Sequence, residues 1–475
     1  MNLLAIAILA AAFTRPMERV SSLDPARCQS IYDSHAVMLL YETPLAIDYE
    51  ARPYKLVPGV CDLPEISQDG HRYRFRVRKG GRARAEDVVR AIERLRSPDI
   101  VSPNSWMVGD VDTITATDDF TVDIALKRRV RYFPWLMAMA PCAVVLKDGS
   151  GTGAYKLKFW RRNHEMVFTR RADLPGGFDT IRYLVIDDAS TQWLMFLKGE
   201  VDFLGAISRD NWDSVVGPDG RLDSSLEKRG VRLFSMPTLE SMYIGINMRD
   251  PVLGPNKKLR QALNCAFDFP AWDKFYNHRV RECDGPVPPG VPERLETPFQ
   301  YRFDLAKAER LMAEAGYPGG VDPKTGRRLE LVLSIGRASQ ESREAGELTA
   351  AFYEKIGIRL KLDFMTWDAF LTAVNEKRVQ MFRMGWVGDY PDAQNFLQLF
   401  YGPNRSPGVN HVNFENAAYD AAYEREDFAT CQEIVREECP WVFTHFNMAY
   451  SLAGPNVNNY IPSDFPYGNE RFYTP

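Results

Sequence analysis

Residues 386–392 place two carboxylates, Asp389 and Asp392, beside two aromatic rings, Trp386 and Tyr390. Val387, Gly388 and Pro391 complete the segment. Carboxylates recognise ammonium and hydrogen-bonding groups, rings offer apolar surface, and a glycine allows the backbone to turn tightly. The set suits a ligand-binding loop. It equally suits a plain β–α turn, because Asp, Gly and Pro are turn formers.

Residues for covalent or acid–base chemistry are harder to find. No Gly-x-Ser-x-Gly elbow and no P-loop occur in the chain. The histidines at 35, 71, 164, 278, 411 and 445 form no His-Glu-x-x-His pair. Gly149-Ser150-Gly151-Thr152-Gly153 superficially resembles a dinucleotide loop. Tyr155–Trp160 then alternates as a strand, so no helix terminus is available to receive a phosphate. Paired carboxylates for glycoside hydrolysis stay open, since their spacing is spatial. The seven cysteines contain no Cys-x-x-Cys pair and suggest no zinc ribbon. Cys265 with Cys283, or Cys431 with Cys439, could bond in an oxidising compartment; ordinary buried thiols are the other reading. No catalytic residue, metal or cofactor is indicated.

The elements that must carry the loop can be read from periodicity. Leu329–Ile335 and Ile358–Leu362 alternate as strands, and Val379–Trp386 is a third. Helices are predicted over 343–356, with Gly357 as its cap, and over 368–377. This β-α-β-α-β series predicts a parallel sheet, beyond whose strand C-termini ligands sit. The helix Leu305–Ala315 precedes it. Upstream, Tyr73–Arg78 alternates as a half-buried strand with its arginines solvated. An amphipathic helix over 85–95 and a hairpin over 112–126 follow. Ile181–Ile186, a helix over 190–198 with Trp193, Leu194 and Leu197 inward, and Val201–Leu204 read as one strand–helix–strand unit. The fold class is α/β with two lobes.

The chain has 475 residues, enough for several lobes and a large core. A net charge of −4 argues against a nucleic-acid partner. The apolar run Leu3–Phe13 is too short for a bilayer and suits the core of a secretory leader, with Ala10–Ala12 as a cleavage zone. A first core element is the competing reading. No cysteine follows the run, so no lipid anchor is indicated.

Short motifs in order then resemble the family 5 extracellular solute-binding proteins, the dipeptide and oligopeptide receptors of ABC importers. Ser22-Leu23-Asp24-Pro25 resembles the family opening, and Ser67–Gly80 its charged hairpin. Ala85-Glu86-Asp87-Val88, Gly151-Thr152-Gly153-Ala154-Tyr155 and Gly199-Glu200-Val201-Asp202 continue the series. Leu259–Leu263, Ala315–Pro318 and Gly385–Asp392 complete it.

The resemblance implies a periplasmic binding protein-like fold with discontinuous lobes, two crossover segments and a ligand between the lobes. The expected division is a leader over 1–20, a first lobe over 21–240 and 447–475, and a second over 241–446. It further implies that Asp389 holds a peptide ammonium, that Arg383 reaches the ligand carboxylate or forms a structural ion pair, and that Trp386, Val387, Gly388 and Tyr390 line the pocket. The expected protein is a periplasmic, monomeric, non-catalytic peptide receptor that serves an ABC permease. An oligosaccharide receptor, stacking sugar on Trp367, Trp386 and Tyr390, is an alternative, and a carboxylate hydrolase a weaker one. The chain departs from the family pattern in two places: the stretches between Gly80 and Ala85 and between Met139 and Gly151 are shortened.

Overall fold

A computed structural model describes residues 11–173, 177–208, 211–217, 220–337, 339–465 and 467–475. The chain forms two compact units, one of residues 1–236 and 449–475 and the other of residues 237–448. Both boundaries fall inside long strands, Arg232–Ile246 and Trp441–Ala453.

In the discontinuous unit, a four-stranded sheet is ordered Ala12–Met17, Thr180–Val185, Glu165–Arg170, Tyr155–Arg161. Its first pair is parallel, with Ala12 opposite Thr180 and Met17 opposite Val185; the remaining pairs are antiparallel. Phe13 is fully buried, packed with Phe178, Phe203 and Tyr473. Burying such a ring is worth about 1.5–3 kcal/mol. The expected leader over 1–20 overlaps this strand. Residues 1–10 lie outside the described residues, but 12–17 form a strand whose apolar face helps build the core.

A buried ion pair ties the two ends of the chain together. Arg15 on that first strand donates to Glu470 at 2.5 Å, and His35 Nδ1 lies 3.6 Å from the same carboxylate oxygen. The side chain of Glu470 is fully buried, and its pKa is held far below the ordinary value by the positive field of His35 and Arg15, which outweighs desolvation.

The second sheet of this unit pairs Glu65–Ile66, Arg72–Arg76, Thr121–Leu126 and Val111–Asp118 in that order. Tyr73 and Phe75 point inward while Arg72, Arg74 and Arg76 stay exposed, as the alternation predicts. Arg74 pairs with Asp123 directly across the ladder. The helix Ala85–Arg96 buries Val88, Ile92 and Leu95. The expected strand–helix–strand unit over 181–204 is not one sheet. Thr180–Val185 lies in the four-stranded sheet, whereas Phe203–Leu204 pairs with the strand Trp441–Ala453. Along the intervening helix Ala189–Lys198 it is Phe196 that is buried, and Leu194 faces solvent.

In the other unit, the expected series is present as Glu330–Ile335, Gln340–Glu354, Arg359–Phe364, Trp367–Asn375 and Met381–Val387. Glu330–Ile335 is parallel to both Arg359–Phe364 and Met381–Val387. The last of these also pairs antiparallel with Arg232–Ile246, so the sheet is mixed. All seven cysteines are free and buried, which removes the pairings considered for an oxidising compartment. No helix among the described residues is long and apolar enough to cross a membrane.

Candidate ligand-binding site

The strand Met381–Val387 ends in the loop 388–392 because three local devices stop and turn it. Gly388 donates its N–H to the Leu239 carbonyl at 2.7 Å. A Cβ on Gly388 would lie 2.7 Å from Phe396 Cζ, so the close approach requires glycine. Asp392 then caps the helix Ala393–Leu397, its carboxylate accepting from the Gln394 N–H at 2.9 Å. Asp392 is buried, so one of the two loop carboxylates is spent on structure.

The other carboxylate is not. Asp389 is exposed, and its Oδ2 accepts from Asn395 Nδ2 at 3.1 Å. Among the described residues no cation pairs with it. The protein around it desolvates the charge enough to push its pKa up, against the opposing pull of the Asn395 hydrogen bond. Asn395 is fully buried and organises the site. Its Oδ1 accepts from Trp386 Nε1 at 2.9 Å and from the Asp389 N–H at 3.2 Å. One amide thus fixes the indole, the loop backbone and the acceptor carboxylate together. Asn395 escaped the sequence reading; its signal was a poor helix former three residues after a helix cap.

Arg383 lies three residues before Trp386, so the period of two directs them to opposite faces of the strand. Its Nη2 donates to the Tyr276 hydroxyl at 2.6 Å, and its guanidinium carbon sits 5.4 Å from the centre of the Trp272 ring. No carboxylate pairs with it among the described residues, so the structural ion pair does not form. Beside it runs a hydrogen-bonded chain that is buried at Trp272 and His445 and partly buried beyond them. Trp272 Nε1 donates to His445 Nδ1 at 3.0 Å, which leaves the proton on Nε2 to be donated to Asn447 Oδ1 at 3.1 Å. Asn447 Nδ2 donates in turn to Glu240 at 2.7 Å. Burial, aided by the Arg383 charge, pushes His445 down to about 3, so the imidazole is neutral at physiological pH.

The remaining expected residues divide. Val387 is 64% exposed and Trp386 partly so. Tyr390, expected to line the pocket, is instead buried, with its hydroxyl donating to Gln394 at 2.7 Å. Burial of Tyr390 also leaves the three-ring sugar platform incomplete, since only Trp367 and Trp386 keep accessible ring surface. The structure therefore groups Trp386, Asp389 and Asn395, and holds Arg383 through a separate set of partners. Among the described residues, no group of three or more His, Cys, Asp or Glu side chains is placed to hold a metal ion.

A two-unit α/β chain with a discontinuous first unit, and a loop carrying an exposed carboxylate at the end of a strand in the second, has the design of a solute-binding receptor. Residues 55–408 match the model of the bacterial extracellular solute-binding proteins, family 5, and the chain belongs to that family. It is 24% identical to heme-binding protein A of Haemophilus influenzae, over 90% of this chain and 85% of that protein. It is 21% identical to the dipeptide-binding protein of Escherichia coli, over 93% and 89% respectively. Among solved structures, the unliganded open form of the periplasmic murein tripeptide binding protein MppA superimposes with a TM-score of 0.87. That match covers 98% of this chain and 97% of MppA at 20% identity. The fold is thus the two-lobed periplasmic binding protein-like fold, with the first lobe discontinuous and the second formed by one continuous segment.

Proposed function

We propose that the protein is a periplasmic receptor that captures peptides and delivers them to the permease of an ABC importer. It works as a monomer and catalyses no reaction. The observation that carries this reading is Asp389: an accessible carboxylate with a raised pKa, held in place by Asn395 and paired with no cation among the described residues. A group in that state gains most from an incoming ammonium, because the ligand supplies the charge the protein withholds. The dipeptide-binding and murein tripeptide binding relatives support a peptide as the solute.

Trp386 and Val387 would offer surface to the first side chain, with the Gly388 backbone beside them. Tyr390 supports the loop from within. Arg383 has donor capacity to spare for a peptide carboxylate or backbone carbonyl, steadied by Tyr276 and Trp272. Calorimetric titration with a free dipeptide and its N-acetylated form tests the reading. The free peptide should bind at least tenfold more tightly; equal affinities would refute the ammonium anchor.

A further inference from the structure

In the discontinuous lobe, far along the chain from Asp389, two arginines converge on a single carbonyl. Arg82 Nη1 donates to the Gly151 oxygen at 2.6 Å and Arg171 Nη2 donates to the same oxygen at 2.7 Å. The two nitrogens therefore lie within about 5.3 Å of each other. Arg171 also donates to the Gly153 carbonyl at 2.7 Å, and Arg82 to the Ser150 hydroxyl at 3.3 Å. Arg171 is 7% exposed, whereas Arg82 is exposed. Glu42 and Asp173 attract Arg171 at longer range, and Asp148 feels the charge of Arg82. None of these forms an ion pair with either guanidinium among the described residues. Burial and the neighbouring Arg82 charge push the Arg171 pKa down, as expected for like charges without a counter-ion.

The pair opens onto a cavity of about 410 Å³. Leu40, Tyr41 and Leu157 line its apolar side, Lys156 adds a third cation, and among the described residues no acidic side chain lines it. An apolar pocket with a few convergent charged donors has the composition of a small-molecule site. The turn at its edge, Gly149–Gly153, is the segment that resembles a dinucleotide loop. The strand Tyr155–Arg161 follows it, so any anion recognition rests on side chains and not on a helix terminus.

We propose that this cavity is a second ligand site, for a small organic anion whose carboxylate or phosphate lies between Arg82 and Arg171 while its apolar body covers Leu40, Tyr41 and Leu157. Two guanidinium forks suit either oxyanion, and the apolar wall selects against small inorganic ions.

Titration of the full chain with octanoate, octyl phosphate, octanol and inorganic phosphate tests the proposal. At least one of the two amphipathic anions should bind saturably at one site, tenfold or more tighter than octanol and inorganic phosphate, and more weakly as salt is added. Preference for octanoate assigns a carboxylate ligand, and preference for octyl phosphate a phosphate. Arg82→Ala, at an exposed position, should fold normally by thermal melting and weaken binding at least tenfold. Arg171→Lys, which keeps the charge and loses the fork, should give an intermediate loss. Binding of neither anion, equal binding of octanol or of inorganic phosphate, or unchanged affinity in Arg82→Ala would overturn the proposal. Peptide affinity should survive Arg82→Ala, and octanoate affinity should survive Asp389→Asn, so the two sites fail independently.

Discussion

Replacing Asp389 with Asn removes one negative charge and leaves the size of the side chain nearly unchanged. In the wild type, among the described residues, the carboxylate receives one side-chain hydrogen bond, from Asn395, and no cation. A charge-assisted hydrogen bond to a ligand ammonium contributes about 1.5–3 kcal/mol. Solvent access to Asp389 screens the interaction, which places the expected loss near the lower bound, about tenfold to thirtyfold in Kd. Calorimetry with a dipeptide and its N-acetylated analogue, on wild type and variant, forms a double-mutant cycle that isolates the carboxylate–ammonium coupling. The coupling should be about 1–2 kcal/mol, with N-acetylated peptide insensitive to the substitution.

The sign of the pH dependence follows from the raised pKa. Peptide affinity should be full at neutral pH and fall as the pH drops through the elevated Asp389 value, because protonation removes the anchor. Stability runs the other way. A carboxyl whose folded pKa is raised stabilises the fold only while protonated, so its charge costs stability at neutral pH. The ligand-free Asp389→Asn protein should therefore melt at the same temperature as wild type or higher. Unchanged dipeptide affinity, equal losses for free and acetylated peptide, or a lowered melting temperature would each refute the reasoning.

Three further outcomes are expected. Glu470→Gln should destabilise the protein by about 3–5 kcal/mol in urea unfolding, because it strands the buried Arg15 charge; in the wild type, the depressed Glu470 pKa adds stability that is complete above the ordinary carboxylate value and fades as the pH falls below it. Removing residues 1–10 should leave cooperative unfolding intact, whereas removing 1–17 should abolish it, and Phe13→Ala alone should cost about 3–5 kcal/mol. The thiols of Cys28 and Cys265, pushed up to about 11, and of Cys61 and Cys431, pushed up to about 12, should resist a thiol reagent at pH 8 until guanidinium exposes all seven cysteines.

Much of the second lobe was legible because its elements obey clean local periods. Leu331 and Leu333 alternate with Val332 and Ser334, and a helix with Gly357 beyond its end separates that strand from the next. Parallel pairing follows from such a series, since the intervening helix carries the chain back to the end at which the preceding strand began. The strand over 72–76 was equally plain, each exposed arginine flanking a buried aromatic. The region around 181–204 misled because two short strands flanking a helix carry no record of which sheet each joins. Leu194 and Phe196 lie two positions apart on one helix, and only the packing of Phe196 against Val201 and Trp212 decides which turns inward.

The amino-acid sequence by itself determined the class of protein and its element order, and it marked the loop that we propose meets the solute. Those properties reside in side-chain period, turn residues and ordered short motifs, all of which are local. The tertiary structure alone decided how each charge is spent. Asp389 and Asp392 are the same residue type three positions apart, yet one is spent as a helix cap and the other stays open. Arg383 was equally suited to an ion pair, and the fold set it over Trp272 instead. Arg82 and Arg171 stand 89 positions apart and carry no motif; the Gly151 carbonyl brings them together. Electrostatic role depends on burial and on partners distant in the chain, and neither is encoded at the position of the charge.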